Sequence, residues 1–392
     1  MPTIRPFRGL LYDEAVVGSI SLVTAPPYDT ISPIDQQRYY RASPLNVVRL
    51  ILGLDEPGDD ESNNKYTRAA SYLRTWRADG ALKPPPRPSV FPYELLFRHA
   101  GAEHTVRGLI AEIELEPWGG SIVPHERTMP GPVEDRLRLL REVRANLSPV
   151  YGVFGGPSPE VADLLARETA QSPDLELMDE NGTRHRLWVA GRGLDGMPGW
   201  LRDEELLIAD GHHRYTVALA YREEMRARFG PGPWDAMMML IVDGTTQDPP
   251  VLPIHRVVSG EEQLPELGGR RVRDLSEVLA SLHDDDLTYG LVTLEDAEPV
   301  HRLAALTGVP PTVCALHEQV LDRVPGLSIR FVPDAAVAEQ AVLSGAASAA
   351  FLLPPTRVDR VRAVVQRDDR LPQKSTYFWP KPRTGMVIRP LD

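Results

Sequence analysis

The feature that most constrains the fold is one unbroken passage from a strand into a helix. The run ELLIA (205–209) is short and apolar, and residues 213–229 carry apolar side chains at steps of three and four. The first pattern is typical of a buried strand and the second of a helix that packs one face against a core. Asp210-Gly211 lies between them, so the sequence predicts Asp210 at the carboxyl end of a strand.

The residues at this junction are of the kinds that favour binding of an anion. Gly211 lets the backbone approach a ligand closely, and the first turn of a helix offers N–H groups at its positive end. His212, His213 and Arg214 add side-chain donors. Asp210 could orient a histidine, hold a metal ion or accept a proton. An ordinary N-cap aspartate followed by two solvated histidines fits the same residues, so the sequence leaves both interpretations open, an anion site and a simple helix cap.

A second polar segment is the loop PHERTMPG (124–131). Glu126 is a candidate general base, and His125 is a candidate proton or metal partner. Thr128 is a further candidate contact to phosphate. These residues do not complete a zinc site, because a catalytic zinc usually takes three protein ligands. Binding of a hard cation such as Mg²⁺ by Glu126 or Asp210 stays open, as does the alternative of a polar surface loop.

A third segment is the C-terminal run PQKSTYFWPKPRTG (372–385). Lys374, Ser375 and Thr376 are donors of the kind that bind phosphate. The segment lacks the pattern Gly-x-x-x-x-Gly-Lys-Ser/Thr, so it is not a P-loop. Its aromatic residues fit a strand that packs on the core. We expect residues 371–391 to return to the active cleft.

Turn signals divide the chain into alternating strands and helices, which predicts an α+β fold with a mixed sheet. Hairpins are predicted over residues 89–116 and 174–190, the second around an Asn-Gly turn. After about residue 255 the pattern changes to short helices, one of them predicted over 298–308, with strands between them. We therefore expect a catalytic domain over 1–255 and a smaller C-terminal α/β lobe over 256–392.

Composition narrows the classes of partner. The 392 residues carry a formal net charge of -12, which argues against broad binding to nucleic acid or anionic membranes. No apolar run is long enough to cross a bilayer, and the charged, Pro-rich start has no apolar signal core. We expect a cytoplasmic protein whose partners are a small-molecule substrate and a nucleotide. A homodimer is a possible state.

A series of short motifs resembles a large family of bacterial and archaeal proteins known only as a domain of unknown function. The motifs occur in the family's order and extend over essentially the whole chain: PFRGLLYD, APPYDTIS, NVVRLILG, PHERT, EDRLRLL, ANLSPVYG, IADGHHRYTVALAY, LPIHR and PQKSTYFWPKPRTG. The family resemblance by itself implies no chemistry.

The DGHHR segment also resembles the Asp-Gly-His-x-Arg motif of the ParB/sulfiredoxin superfamily. Its members bind nucleotide phosphates there, and they include CTP-binding ParB, ATP-using sulfiredoxin and kinases of free L-serine. The motif matches Asp210, Gly211, His212 and Arg214, with His213 at the variable place. Gly211 stands where sulfiredoxin has its reactive cysteine, and the DNA-binding helices of ParB are not evident. The resemblance implies a ParB/sulfiredoxin-like core of the serine-kinase branch.

Three functions follow, and we favour the first. It is a phosphotransferase that uses ATP or ADP with Mg²⁺ and acts on a small hydroxyl metabolite such as free L-serine. The second is a phosphatase of phosphoserine or a similar ester, and the third is a non-enzymatic nucleotide-binding regulator. The residues expected to act in catalysis are Glu126, Asp210, His212 and His213. Those expected to bind the nucleotide and its phosphates are Gly211, Arg214, His125, Thr128, Lys374, Ser375 and Thr376.

Overall fold

The structure is a computed structural model. It describes residues 1–126, 130–156, 158–247, 249–260, 268–296, 298–367 and 370–392. The chain divides into two compact units. The first consists of residues 1–123, 128–249 and 380–392, and the second consists of residues 124–127 and 250–379. The predicted division into folding domains after residue 255 stays a prediction.

The helices and strands of the first unit are interspersed along the chain. The helices are α1 (Glu14–Val17), α2 (Ile20–Val23), α3 (Pro33–Ala42), α4 (Val48–Ile51), α5 (Lys65–Ala78), α6 (Pro130–Val143), α7 (Pro159–Thr169) and α8 (His212–Phe229). Its strands are β1 (Ile4–Arg5), β2 (Leu11–Tyr12), β3 (Leu82–Lys83), β4 (Phe91–His99), β5 (Ala102–Glu114), β6 (Ile122–Val123), β7 (Ala145–Asn146), β8 (Val150–Phe154), β9 (Leu175–Met178), β10 (Arg184–Leu187), β11 (Leu206–Asp210), β12 (Ala236–Asp243) and, at the end of the chain, β21 (Arg389–Pro390).

A mixed sheet forms the core of the first unit. Its strand order is β6-β11-β8-β12-β5-β4-β10-β9, and β1 pairs with β5. β11 pairs in parallel with β6 and β12 in parallel with β8, while the other pairs are antiparallel. Leu206, Leu207 and Ile208 of β11 are fully buried, which explains their continuous apolar run. The α+β class with a mixed-sheet core is confirmed.

Both predicted hairpins form in this sheet. β4 and β5 pair antiparallel up to the turn at Ala100-Gly101, where both residues have a positive φ. β9 and β10 pair antiparallel, and Gly182 takes a φ of +77° in the turn between them. That backbone conformation is strained for most residues but open to glycine, so the Asn-Gly signal identified the second turn correctly.

The second unit has an antiparallel sheet with the strand order β15-β17-β16-β19-β14-β18 and a separate pair, β13 with β20. The strands are β13 (Val251–Leu252), β14 (His255–Ser259), β15 (Arg270–Val272), β16 (Thr288–Glu295), β17 (Glu298–Ala305), β18 (Ser328–Val332), β19 (Ala349–Leu352) and β20 (Tyr377–Phe378). The helices are α9 (Leu275–Ala280), α10 (Thr312–Gln319), α11 (Ala335–Leu343) and α12 (Val358–Val365).

The helix predicted over residues 298–308 is wrong. This segment forms strand β17, which pairs with β16 along its full length, from Glu298 opposite Glu295 to Ala305 opposite Thr288. A short apolar run does not distinguish a strand from a helix by its periodicity. The partner strand decides here, because it satisfies the backbone N–H and C=O groups of β17 that a helix would otherwise satisfy internally.

The last residues of the chain pack into the first unit. Arg383 is buried and donates to Glu180 at 2.7 Å, and its own N–H donates to the hydroxyl of Tyr93 at 3.0 Å. Arg389 is also buried and donates to Glu112 at 2.6 Å. A buried guanidinium needs such partners, so this segment is fixed in position. Among the described residues, no helix is long and apolar enough to span a membrane.

Candidate functional site

The junction between β11 and α8 has an unusual backbone. The pairing of β11 with β8 shifts register between Ile208 and Asp210, and such a bulge changes the direction of the side chains next to it. Gly211 follows with a φ of +98° and caps α8. A Cβ at Gly211 would lie 3.1 Å from the guanidinium of Arg214, so both conformation and space favour glycine.

The cap of α8 distinguishes the two readings of the DGHHR segment. Gly211, not Asp210, is the N-cap residue, and glycine has no side chain that could cap the helix. The first turn of α8 contains no acidic residue. His212 is buried and His213 is half-buried, so neither is a solvated surface histidine. The reading as an ordinary N-cap aspartate is therefore wrong.

Asp210 instead forms ion pairs with two cations. One carboxylate oxygen, Oδ2, accepts from Nη2 of Arg214, whose Nη1 donates to the carbonyl of Pro149. The other, Oδ1, lies 2.5 Å from Nζ of Lys381, which also lies 3.3 Å from Asp29. The side chains of Asp210, Arg214 and Lys381 are only 14%, 15% and 7% exposed. We call these four charged residues, Asp29, Asp210, Arg214 and Lys381, the junction cluster.

A cavity adjoins the junction cluster inside the first unit. It consists of two neighbouring pockets of about 70 and about 310 Å³, which we call its two chambers, and both are lined by Tyr28, Ile51, Arg136 and Leu139. Arg214 lines the smaller chamber. The guanidinium of Arg136 lies over the Tyr28 ring, 4.3 Å from its centre. Burial raises the pKa of Tyr28, so this hydroxyl stays protonated at neutral pH.

Glu126 belongs to a different cluster, inside the second unit. Its Oε1 accepts from the backbone N–H of Ser375 at 2.9 Å and of Thr376 at 3.0 Å, and also from the Thr376 hydroxyl at 3.0 Å. Its Oε2 accepts from the N–H of Lys374 at 3.0 Å. Lys374 has a φ of +53°, which is rarely adopted by a lysine. The carboxylate of Glu126 therefore fixes a tight turn at these residues.

Arg256 holds the same turn through its carbonyl groups. The fully buried guanidinium donates to the carbonyl oxygen of Lys374 at 2.9 Å and to that of Gln373 at 3.3 Å. Burial lowers the pKa of Arg256 to about 10, which leaves it charged at neutral pH. His125 is fully buried and its Nε2 lies 2.6 Å from the Thr376 hydroxyl. We call residues 373–376 the clamped turn.

The structure thus groups the sequence candidates into two sets. Asp210, Gly211 and Arg214 lie together at the junction, with His212 and His213 in the first turn of α8. The second set consists of His125, Glu126, Lys374, Ser375 and Thr376. Thr128 lies outside the described residues.

Sequence reasoning missed several residues of the junction cluster and its cavity. It did not connect Lys381 with Asp210. It assigned no role to Tyr28, Asp29 or Arg136. The motif APPYDTIS contains Tyr28 and Asp29, and EDRLRLL contains Arg136. A motif that is shared with the family and rich in polar residues was the available signal.

The charged side chains do not form a ready metal site. Among the described residues, no group of three or more His, Cys, Asp or Glu side chains could hold a metal ion. The oxygens of Asp210 accept from Lys381 and Arg214, and those of Glu126 accept from the clamped turn. A divalent cation would have to displace these donors before either carboxylate could bind it.

The sequence matches one family model, which is described as a protein of unknown function, DUF1015, over residues 4–303. This match spans most of the chain and includes the junction between β11 and α8. The chain belongs to this family. The predicted membership is confirmed. No curated protein is significantly similar in sequence.

Several solved structures are similar to the chain. A conserved hypothetical protein from Pyrococcus furiosus is 15% identical with a TM-score of 0.37, and the match covers 69% of this chain and 93% of that one. A free serine kinase in complex with AMP has the same identity and TM-score, with 68% and 86% covered. SbnI with a C-terminal truncation, from Staphylococcus aureus, is 11% identical with a TM-score of 0.34, with 67% and 81% covered.

Proposed function

We propose that this protein is a nucleotide-dependent phosphotransferase that acts on the hydroxyl group of a small metabolite. The observation that carries the proposal is the junction cluster, in which Arg214 and Lys381 share the carboxylate of Asp210 beside the N-terminus of α8. Two cations and a helix N-terminus at one point suit the phosphates of a nucleotide. The resemblance of DGHHR to a nucleotide-binding motif supports the same ligand.

The reaction needs charge neutralisation and a proton acceptor. The acceptor oxygen forms a bond to the terminal phosphorus, and the bond between that phosphorus and the bridging oxygen of the nucleotide breaks. Arg214, Lys381 and the first turn of α8 would stabilise the negative charge on the phosphoryl oxygens. His212 and His213 stand in the same turn, as further donors or as proton carriers. The proton of the acceptor hydroxyl would pass to Asp210.

The clamped turn has a positioning role in this proposal. Its backbone N–H groups already donate to Glu126, so they are not directed at a phosphate. ATP or ADP is the donor in the proposal, and free L-serine is the first acceptor to test.

Phosphorus NMR tests the proposal directly. The purified protein would be incubated with Mg²⁺, L-serine and either ATP or ADP, and phosphoserine alone would be the substrate in a separate tube. We expect a phosphoserine signal that requires the nucleotide and is lost in Arg214→Gln. Free phosphate from phosphoserine alone would instead establish a phosphatase. No signal with L-serine, while the nucleotide raises the melting temperature, would contradict serine as the acceptor.

A further inference from the structure

We infer that the two-chambered cavity of the first unit binds the nucleoside part of the nucleotide, with an aromatic base beside Tyr28 and Arg136. The inference rests on the proposed function and names where its nucleotide lies. The phosphates would extend from the smaller chamber to Arg214 in its wall. One ligand would therefore connect the cavity with the junction cluster.

The size of the cavity suits a nucleoside. The larger chamber is about 310 Å³, and Ile51 and Leu139 line both this chamber and the smaller one. Pockets of about 300 to 1,000 Å³ bury ligands the size of a small drug, which is also the size of a nucleoside. The smaller chamber reaches Arg214, whose positive charge would bind the phosphates of the ligand.

The walls suit a flat aromatic ring. Arg136 lies 4.3 Å from the centre of the Tyr28 ring, and its Nη1 donates to the carbonyl of Ile51 at 2.5 Å. Its Nε donates to Asp135 at 2.7 Å. These bonds hold the guanidinium plane in place before a ligand arrives. Nucleobases stack on aromatic rings and on guanidinium planes of this kind, and a fixed platform loses little entropy on binding.

The charges of the wall favour an anion over a zwitterion. Arg136, Arg214 and Lys65 are cations, and Asp135 is the carboxylate among the lining residues. Asp135 already accepts from Arg136 and, at 2.8 Å, from the hydroxyl of Tyr66. Burial raises the pKa of Asp135, but Arg136 and Tyr66 outweigh it and the pKa lies below its ordinary value. A free amino acid would find no open carboxylate for its ammonium group here.

The test compares ligands with and without a base. Isothermal titration calorimetry would measure the affinity of ADP and of inorganic pyrophosphate for the full chain and its variants. Arg136→Gln and Tyr28→Leu remove the proposed platform. Arg138→Gln is the matched control, because it removes the same charge two residues along α6, where Arg138 pairs with Glu134 at the surface. Melting temperatures would confirm that each variant is folded.

We expect Arg136→Gln and Tyr28→Leu to weaken ADP binding by about tenfold and to leave pyrophosphate binding unchanged, since stacking on a base accounts for the loss. Arg138→Gln should match the wild type. Unchanged ADP binding in both cavity variants, or an equal loss for ADP and pyrophosphate, would overturn the inference. If the wild type bound ADP and pyrophosphate with equal affinity, the nucleoside site would be overturned, but an anion site at Arg214 would still be supported. A wild type that binds neither would overturn the proposed function itself.

Discussion

At the scale of the residue, one carboxylate explains the arrangement of the junction. Asp210 holds Arg214 and Lys381 together, although the two cations would repel each other without its carboxylate. The pair Asp210 and Arg214 could be read from the sequence, because the two residues are four positions apart, which is about one helical turn. Lys381 could not, because contacts between distant segments leave no periodic pattern. The sequence therefore placed Asp210 and Arg214 next to one another but left Lys381 out of the set of charges.

Replacement of Asp210 tests this account of the charges. In Asp210→Asn, two largely buried cations lose their shared counter-ion, and we expect the free energy of unfolding to fall by about 2 kcal/mol. Pyrophosphate should then stabilise the variant more than the wild type, because its phosphates no longer compete with a carboxylate for Arg214 and Lys381. Urea denaturation with and without pyrophosphate measures both effects.

The control for that experiment is Asp203→Asn, which removes an exposed carboxylate seven residues earlier. We expect it to unfold like the wild type with and without pyrophosphate. If Asp210→Asn lost no stability, or if pyrophosphate stabilised it no more than the wild type, the ion pairs of Asp210 would not neutralise the two cations as described.

At the scale of the element, the clamped turn joins motifs that looked independent in the sequence. Glu126 of PHERT binds its N–H groups and Arg256 of LPIHR binds its carbonyl groups, so residues from these two motifs and from PQKSTYF meet in one structure. The sequence indicated that each motif was polar and special. It could not show that Glu126 faces backbone donors, because the acceptors and donors lie far apart along the chain.

Glu126→Gln distinguishes the positioning role from a purely chemical one. The neutral side chain presents an NH₂ group to N–H donors, and we expect the clamped turn to lose about 2 kcal/mol of local stability. Hydrogen exchange followed by mass spectrometry should show faster exchange at residues 374–376. Phosphoryl transfer should fall in the same variant.

Glu318→Gln is the matched control, since Glu318 is exposed on the same unit. Its exchange at residues 374–376 should equal that of the wild type. Loss of transfer in Glu126→Gln with unchanged exchange would mean that Glu126 takes part in the chemistry and does not act by holding the turn.

At the scale of the whole molecule, burial of histidine makes stability depend on pH. His255 is 2% exposed, and its Nδ1 accepts from the N–H of Leu353 at 3.1 Å. Burial, assisted by Arg256, lowers the pKa of His255 from 6.5 to about 4. Above pH 6.5 His255 is neutral in both the folded and the unfolded chain. Between pH 6.5 and 4 only the unfolded chain takes up the proton, so stability falls as the pH falls.

His255→Asn should remove that part of the pH dependence. The asparagine oxygen replaces Nδ1 as an acceptor but does not titrate. We expect the wild type to lose about 3 kcal/mol more than the variant between pH 7 and pH 4, as measured by urea denaturation. His283→Asn, at an exposed position, should behave like the wild type. Equal pH dependence in wild type and His255→Asn would contradict the buried neutral state.

Sequence patterns predicted the local elements of this molecule better than the packing of distant segments against each other. The hairpins β4–β5 and β9–β10 and the passage from β11 to α8 follow from turn residues and periodicity, which act over a few residues. The packing of residues 380–392 into the first unit depends on ion pairs of Arg383 and Arg389 with distant carboxylates. Such pairs become visible only when the chain is folded.

The central claim is that the junction cluster binds the phosphates of a nucleotide. A crystal structure of the full chain with ADP tests it most directly. We expect phosphate oxygens within hydrogen-bond distance of Arg214 and of the backbone N–H groups that begin α8, with the base beside Tyr28. ADP bound with its phosphates on the clamped turn, or on a surface remote from Arg214, would contradict the account.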